Sequence, residues 1–343
     1  MSGPFRHTRR AMLATAAALC LPGAVRSAFA ATRRSLIDVH HHWHSRDLAR
    51  AWGMDAPDPA WAIDRSLAAM DESGIVTAML SVTSPGVWNS HDGEASIRLA
   101  RLCNEGMAQT VRDHRSRFGF FASLALPMVA ASVAELGYSL DQLKADGVGL
   151  LSSYDGKYLG DASFAPVFEE LNHRHAVVYV HPALPQCCGE VLPGVDATAF
   201  EEPSDTTRAI ESLLVSGALA RWSNISFIFA HGGGTLPFVA DRILSVVATS
   251  DAPQKEYLSS LNLRAALARL YFDSASVVNP AAFAALMNFT TPDRVLFGSD
   301  FPYHAVGAAV GGLRAMEQRF GLSLSDMQSI EYACAQRLLL LHA

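Results

Sequence analysis

The chain has 343 residues, of which 50% are hydrophobic and 17% are charged. This composition is typical of a globular protein with a large core, and the length permits one barrel-sized domain or two ordinary ones. The formal net charge is −6, and no basic tract occurs beyond the N-terminus. These charges argue against nucleic acid as a partner.

Residues 1–30 are predicted to form a twin-arginine signal peptide. An Arg-Arg pair at 9–10 precedes an apolar, alanine-rich run, and the small-x-small sequence at 28–30 provides a cleavage site. The apolar run is too short to span a bilayer, so we expect no stable membrane anchor. We predict export to the periplasm, cleavage after about Ala30, and one mature domain over 31–343. A disordered cytoplasmic extension is the alternative.

Four cysteines lie in the predicted mature domain: Cys103, Cys187, Cys188 and Cys334. No CxxC pair occurs among them, which argues against a zinc–thiolate site. An oxidising periplasm permits a disulfide, but the sequence does not define its pairing. We predict free or buried thiols.

Short apolar runs alternate with helical patterns from residue 34 onward. The eight predicted strands are 35–40, 75–82, 118–125, 147–152, 176–181, 225–230, 269–274 and 293–298. Helices are predicted between them, including one capped by Ser163 and one that begins after Asp205. Eight such units predict a (β/α)8 TIM barrel. A doubly wound sheet is the alternative, which the lack of a GxGxxG sequence after the first strand weakens.

The first predicted strand ends in a histidine-rich stretch. Because alternate side chains of a strand point the same way, we expect Asp38, His40 and His42 to share a face and His41 to point away. Two imidazoles on one face can bind a single metal ion. The alternatives are a solvated histidine run or the remnant of an affinity tag.

Three other predicted strands also end in polar residues that can bind a metal or transfer a proton. His181 ends the fifth strand, His231 follows the sixth and Asp300 follows the eighth. In a barrel, the carboxyl ends of the strands meet at one mouth, where catalysis takes place. Three histidines and a carboxylate suit Zn²⁺ and, less specifically, Mn²⁺ or Co²⁺.

These motifs together resemble the amidohydrolase-related decarboxylases, whose best-known member is aminocarboxymuconate semialdehyde decarboxylase. The resemblance covers the predicted mature chain in order. Three further stretches, 144–151, 156–161 and 205–210, resemble the 6-methylsalicylate decarboxylase branch more narrowly. The fold that the resemblance implies is a metal-dependent (β/α)8 barrel.

The resemblance implies a role for each strand-end residue. His40, His42, His181 and Asp300 are the implied metal ligands, and His231 is the implied acid–base or substrate-orienting group. The resemblance also implies a homodimer, in which a side chain of the neighbour reaches the site. The predicted fourth strand carries no lysine to bridge two metals, which favours a single ion.

The function that we predict is non-oxidative decarboxylation of a small aromatic carboxylate such as 6-methylsalicylate. The metal would bind the substrate, and Asp300 or His231 would protonate the ring carbon. Arg208 or Arg242 would suit the carboxylate or a hydroxyl of the substrate, unless they form salt bridges on helix surfaces. The rings of Trp88 and Tyr154 would form an apolar slot, with core packing as the alternative for each.

Two other functions use the same residues. The metal could activate water to hydrolyse a lactone or an amide, since the ligand set and fold are shared. The chain could also be an exported, non-catalytic protein that binds a metal or a carboxylate. His231 argues against the latter, because a binding protein has no evident need for a fifth polar group.

Overall fold

The computed structural model describes residues 34–54, 61–88, 92–185, 187–188, 194–249 and 260–339. The predicted signal peptide lies outside these residues. The part from Arg34 onward forms one compact unit.

Eight parallel strands form the central sheet, and a short antiparallel hairpin is inserted after the fourth. In chain order the strands are β1 (Leu36–His42), β2 (Ile75–Ser81), β3 (Phe118–Ser123), β4 (Gly147–Leu151), β5 (Ser153–Tyr154), β6 (Lys157–Tyr158), β7 (Val177–His181), β8 (Ser226–Phe229), β9 (Tyr271–Asp273) and β10 (Val295–Leu296). The order in the sheet is β1-β2-β3-β4-β7-β8-β9-β10, and β5 pairs with β6. All eight predicted strands are therefore confirmed.

The barrel closes between β1 and the segment that follows β10. The N–H of Val39 donates to the carbonyl of Phe297 at 2.9 Å, and a parallel bridge joins His41 to Phe301. These contacts remove the free sheet edges that a doubly wound fold would have. The predicted (β/α)8 barrel is confirmed.

Helices surround the barrel and fill the connections between its strands. They are α1 (Arg46–Ala51), α2 (Ile63–Ser73), α3 (Gly93–Asp113), α4 (Val129–Asp141), α5 (Ala165–His173), α6 (Glu201–Val215), α7 (Ala218–Arg221), α8 (Leu236–Thr249), α9 (Ser260–Leu267), α10 (Pro280–Phe289), α11 (Val306–Phe320), α12 (Leu324–Gln328) and α13 (Cys334–Leu339). Two predicted helix starts were wrong. Asp161, and not Ser163, caps the turn before α5, and α6 begins at Glu201, so that Asp205 lies buried within it.

Apolar side chains pack in two layers. One cluster draws residues from seven of the eight barrel strands, including Ile37, Phe121, Tyr179 and Leu296, and therefore fills the barrel interior. The rings of Phe121 and Tyr179 stack within it at 5.1 Å. The larger cluster joins the outer faces of the strands to the helices. Since the interior is packed rather than hollow, the open space lies at the mouth of the barrel.

Candidate active site

Three histidines and one aspartate converge at the carboxyl end of the barrel. Their potential ligand atoms all lie within 4.8 Å of one another, and all four side chains are buried. His40 and His42 belong to β1, His181 ends β7, and Asp300 follows β10. The structure thus brings together the four residues that the sequence selected as metal ligands.

A β-bulge in β1 aims the two histidines of this strand at the site. The register of β1 against β2 shifts between Asp38 and His41. Asp38 lies with His41, whose Nδ1 donates to Asp38 Oδ2 at 3.1 Å, while His40 and His42 face Asp300. A bulge changes the alternation of side chains along a strand. The predicted common face of Asp38 with His40 and His42 was therefore wrong.

Asp38 holds the segment that carries Asp300. Its carboxylate accepts hydrogen bonds from the backbone N–H of Ser299 at 2.9 Å and from the hydroxyl of Ser299 at 2.6 Å. The N–H of Asp300 in turn donates to the carbonyl of His40 at 2.9 Å. The two segments that carry three of the four ligands are thus fixed to each other.

Asp273, which the sequence interpretation missed, links the ligands to His231. Its buried carboxylate accepts hydrogen bonds from His40 Nδ1 at 2.8 Å, the Tyr179 hydroxyl at 3.0 Å, and the N–H groups of His231 at 2.8 Å and Ala275 at 3.0 Å. Asp273 is the last residue of β9. The rule that selected the other strand ends would have selected Asp273 too.

The hydrogen bonds of the imidazoles orient one nitrogen of each ring toward a common point. Because His40 Nδ1 donates to Asp273, its Nε2 is the ring nitrogen that faces the site, and this atom lies 3.1 Å from His42 Nε2. His181 Nδ1 donates to the carbonyl of Pro182 at 2.8 Å, which leaves its Nε2 as the ligand atom. Asp300 Oδ1 lies 3.2 and 3.0 Å from the Nε2 atoms of His40 and His42. Ring nitrogens so close to each other and to a carboxylate fit one shared metal ion.

The charges of the site lead to the same conclusion. Burial lowers the pKa of His40, but Asp273 and Asp300 outweigh it and raise this pKa to about 10. Burial lowers the pKa of His42 to about 4 and that of His181 well below its ordinary value, so both imidazoles are neutral at pH 7. Burial acts to raise the pKa of Asp300, yet His40 and His42 hold it well below the usual range. Asp273 and Asp300 thus attract positive charge to this site: without a metal it is the proton of His40, and a divalent cation bound at the imidazole would replace that proton.

His231 lies beside the four ligands on a strained turn. Its ring centroid is 4.9 Å from that of His40 and 5.6 Å from that of His181. Its φ is 54°, and the three following glycines also have positive φ. A side chain at Gly234 would place its Cβ 2.0 Å from the carbonyl oxygen of Pro203, so α6 packs here directly on backbone. Burial lowers the pKa of His231, which favours the neutral imidazole.

A cavity of about 1250 Å³ opens onto Asp300 and His181. Trp88 and Tyr154, the predicted ring-slot residues, both line it. The hydroxyl of Tyr154 accepts a hydrogen bond from the N–H of Leu151 at 2.8 Å, which fixes the ring in the cavity wall.

The two predicted arginines do not line this cavity. Arg208 lies on α6, where Nη1 is 3.5 Å from Glu201 Oε2 and 3.9 Å from Asp205 Oδ1. Arg242 lies on the exposed side of α8. A single chain therefore does not bring either guanidinium to the cavity wall.

The sequence interpretation also missed several polar residues of the cavity wall. Tyr158, on the hairpin, donates from its hydroxyl to Asp205 Oδ1 at 2.6 Å, and the hydroxyl of Ser152 bonds the other oxygen of Asp205. Glu202 lines the cavity from the first turn of α6, and burial, together with the charge of Asp300, raises its pKa to about 7. These residues come from the insertion after β4 and from the start of α6, where no strand-end motif marks them.

A buried site of three histidines and one aspartate at the mouth of a (β/α)8 barrel defines a metal-dependent enzyme of the amidohydrolase type. Comparison with known proteins agrees: the family model described as Amidohydrolase matches residues 37–341. The chain belongs to this amidohydrolase family.

Three relatives are informative. The chain is 35% identical over 306 residues to a 6-methylsalicylic acid decarboxylase from Aspergillus aculeatus, covering 86% of this chain and 92% of that one. It is 36% identical over 276 residues to a 6-methylsalicylic acid decarboxylase from Penicillium expansum, covering 78% and 84%. A dihydroxybenzoic acid decarboxylase from Polaromonas sp. JS666, solved with bound manganese and 2-nitroresorcinol, has a TM-score of 0.78 at 22% identity, covering 90% and 98%. At this level of identity, the structural similarity to the Polaromonas protein supports the fold.

We expect Asp273→Asn to weaken metal binding by about 10- to 100-fold, because an amide accepts the His40 proton less well and no longer holds the imidazole in place. The measurement is a competition titration of the metal against a chromogenic chelator. Asp141→Asn, which removes an exposed carboxylate 2.7 Å from Arg174, is the control and should leave the affinity unchanged. Equal affinities for the Asp273 variant and the unmodified protein would contradict the assigned role.

Proposed function

We propose that this protein is a metal-dependent, non-oxidative decarboxylase of a small hydroxybenzoate-type acid such as 6-methylsalicylate. The observation that carries the proposal is the four-ligand site, with His231 beside it, at the end of a cavity walled by Trp88 and Tyr154. The curated relatives described above, which act on 6-methylsalicylic acid, support the substrate class.

We propose Zn²⁺ as the metal, since three imidazoles and one carboxylate are the ligands that zinc prefers. Mn²⁺ and Co²⁺ also suit such a site, and elemental analysis of the purified protein distinguishes the three. The cation would be held by His40, His42, His181 and Asp300, and it would neutralise the negative charge of the substrate.

The reaction requires one proton to reach the ring. The bond between the ring carbon and the carboxylate breaks, CO₂ leaves, and the electron pair that remains on the carbon takes up the proton. Asp300 lines the cavity, and its Oδ2 lies 3.6 Å from His304 Nε2, on the side away from the ligand imidazoles. Asp300 therefore presents one oxygen toward His40 and His42 and the other toward the substrate.

His231 is the second group that can move a proton. It does not line the cavity, but it lies against His40 and His181 and is neutral at pH 7. We assign it to orienting the substrate carboxylate. Asp300, which is ionised in the resting site, takes the phenolic proton of the bound substrate onto Oδ2 and delivers it to the ring carbon, so the phenolate product takes a proton from water when it leaves.

We expect metal-loaded protein to release CO₂ from 6-methylsalicylate, and His231→Ala to lower kcat by about 10²- to 10⁴-fold without loss of metal. CO₂ release and metal content are measured on the same samples. His173→Ala, an exposed histidine on α5, is the control and should retain full activity.

A panel of lactones and amides is assayed in parallel. Hydrolysis of a panel member, with no CO₂ from any hydroxybenzoate, would replace the proposal with a hydrolase that uses the same site. If the protein binds metal but converts neither the hydroxybenzoates nor the lactones and amides, the result would support an exported, non-catalytic binding protein.

We propose that the protein is exported through the twin-arginine route and loses residues 1–30. The Arg-Arg pair and the small-x-small sequence support this. Among the described residues, no helix is long and apolar enough to cross a membrane. We expect N-terminal sequencing of periplasmic protein to begin near Ala31 and replacement of both arginines by lysine to retain it in the cytoplasm. An intact N-terminus in a cytoplasmic fraction would contradict export.

We also propose a homodimer that uses the exposed face of α8. Phe238 is 87% exposed and Val246 58% exposed, and Arg242 lies between them at the same helical spacing. This face would place Arg242 at the interface, from which it could reach the partner's site. We expect Phe238→Asp to convert dimer to monomer in sedimentation velocity. Leu324→Asp, at an exposed leucine on α12, should leave the dimer intact. A monomer before mutation would refute the proposal.

A further inference from the structure

The segment after β7 carries a disulfide between adjacent residues. Cys187 and Cys188 are bonded to each other, contrary to the expectation of free thiols. The N–H of Cys188 donates to the carbonyl of Pro185 at 3.2 Å, so the disulfide closes a turn. A bond between neighbouring cysteines forms an eight-membered ring with the intervening peptide, which restricts the backbone of that turn.

The turn is anchored to the metal site at its start. His181 ends β7, and its carbonyl accepts a hydrogen bond from the N–H of Ser152 at 2.9 Å. The N–H of Ala183 donates to the hydroxyl of Ser152 at 2.7 Å. Only a few residues separate these fixed points from Cys187, so the position of the disulfide is tied to that of a metal ligand.

Cys187 lines the same cavity as Asp300, Trp88 and Tyr154. Divalent sulfur is polarizable and makes favourable contacts with aromatic rings. The disulfide is therefore placed to contact the ring of a substrate. No role has been assigned so far to this part of the cavity wall.

The remaining cysteines of the described residues do not compete for this chemistry. Burial raises the pKa of Cys103 to about 12 and that of Cys334 to about 11. Both are buried and remain protonated at neutral pH, and thiols in that form exchange with disulfides slowly. Cys187 is exposed by contrast, so a reductant in solution reaches it first.

We propose that the Cys187–Cys188 disulfide is a specificity-determining wall of the substrate cavity, which binds the aromatic ring of the substrate and loosens when the bond is reduced. The ligand class rests on the proposed function. Reduction by a water-soluble phosphine breaks the S–S bond and gives two thiols. The phosphine takes the oxygen of a water molecule to become its oxide, and that water supplies both protons.

The test compares oxidised and phosphine-reduced holoenzyme. Mass spectrometry after alkylation counts the free thiols, and metal analysis confirms that the ion is retained. We expect KM for 6-methylsalicylate to rise roughly three- to tenfold on reduction, with kcat changed far less, because the wall contacts the ring and not the reacting carbon. In parallel, the affinity for 2-hydroxybenzoate is measured by intrinsic fluorescence.

The matched variant carries Cys187→Ser and Cys188→Ser together. It should show the raised KM and weaker 2-hydroxybenzoate binding without reductant, and the phosphine should change neither. A response that persists in this variant would assign the effect to another cysteine. A thermal midpoint near that of the unmodified protein confirms that the variant folds.

The outcomes separate this inference from the proposed function. Equal affinity for 2-hydroxybenzoate in both redox states would overturn the inference even if CO₂ is released. So would two free thiols at 187 and 188 in the untreated protein. If binding of 2-hydroxybenzoate depends on the redox state but no CO₂ is released, the decarboxylase assignment would be overturned. The inference that the disulfide forms part of the binding wall would stand.

Discussion

The active site depends on one buried carboxylate, that of Asp273. Four donors share it: a ligand imidazole, a core tyrosine and two backbone N–H groups, one of which belongs to His231. A buried charge is tolerated only when it is so well paired, and each donor loses a strong hydrogen bond if the carboxylate is removed. The orientation of His40 and the start of the His231 turn are therefore set by the same residue.

The closure of the barrel provides the second constraint. The segment after β10 pairs with β1, so Asp300 is fixed against His40 through backbone as well as side chains. The bulge in β1 lets Ile37 and Val39 pack in the barrel interior while His40 and His42 face the metal site. One strand thus supplies both the packed core and two ligands.

The strands and four ligands could be predicted from the sequence because each depends on local pattern: an apolar run followed by a histidine or an aspartate. The bulge in β1 could not be predicted in this way, because it arises from pairing with β2. It places the side chain of Asp38 on the face opposite to the predicted one. Asp273 lies near the end of a predicted strand but was not selected. Tyr158 and Glu202 reach the cavity through a hairpin and a helix start, whose placement depends on tertiary contacts. Cys187 and Cys188 are adjacent in the sequence, but adjacency alone does not show that two cysteines are bonded to each other.

The hairpin β5–β6 and helix α6 meet at Asp205, which bonds both Tyr158 and Ser152. This network joins one wall of the cavity to the end of β4, and it shares no side chain with the Asp38 and Asp273 clusters that hold the ligands. Different side-chain networks thus support the catalytic centre and this wall of the cavity, although the backbone of His181 and Ala183 joins them at Ser152. Residues of the cavity wall can therefore change during evolution to accommodate a differently substituted ring, while the residues that hold the metal ligands stay the same. The same barrel can in this way serve many aromatic acids.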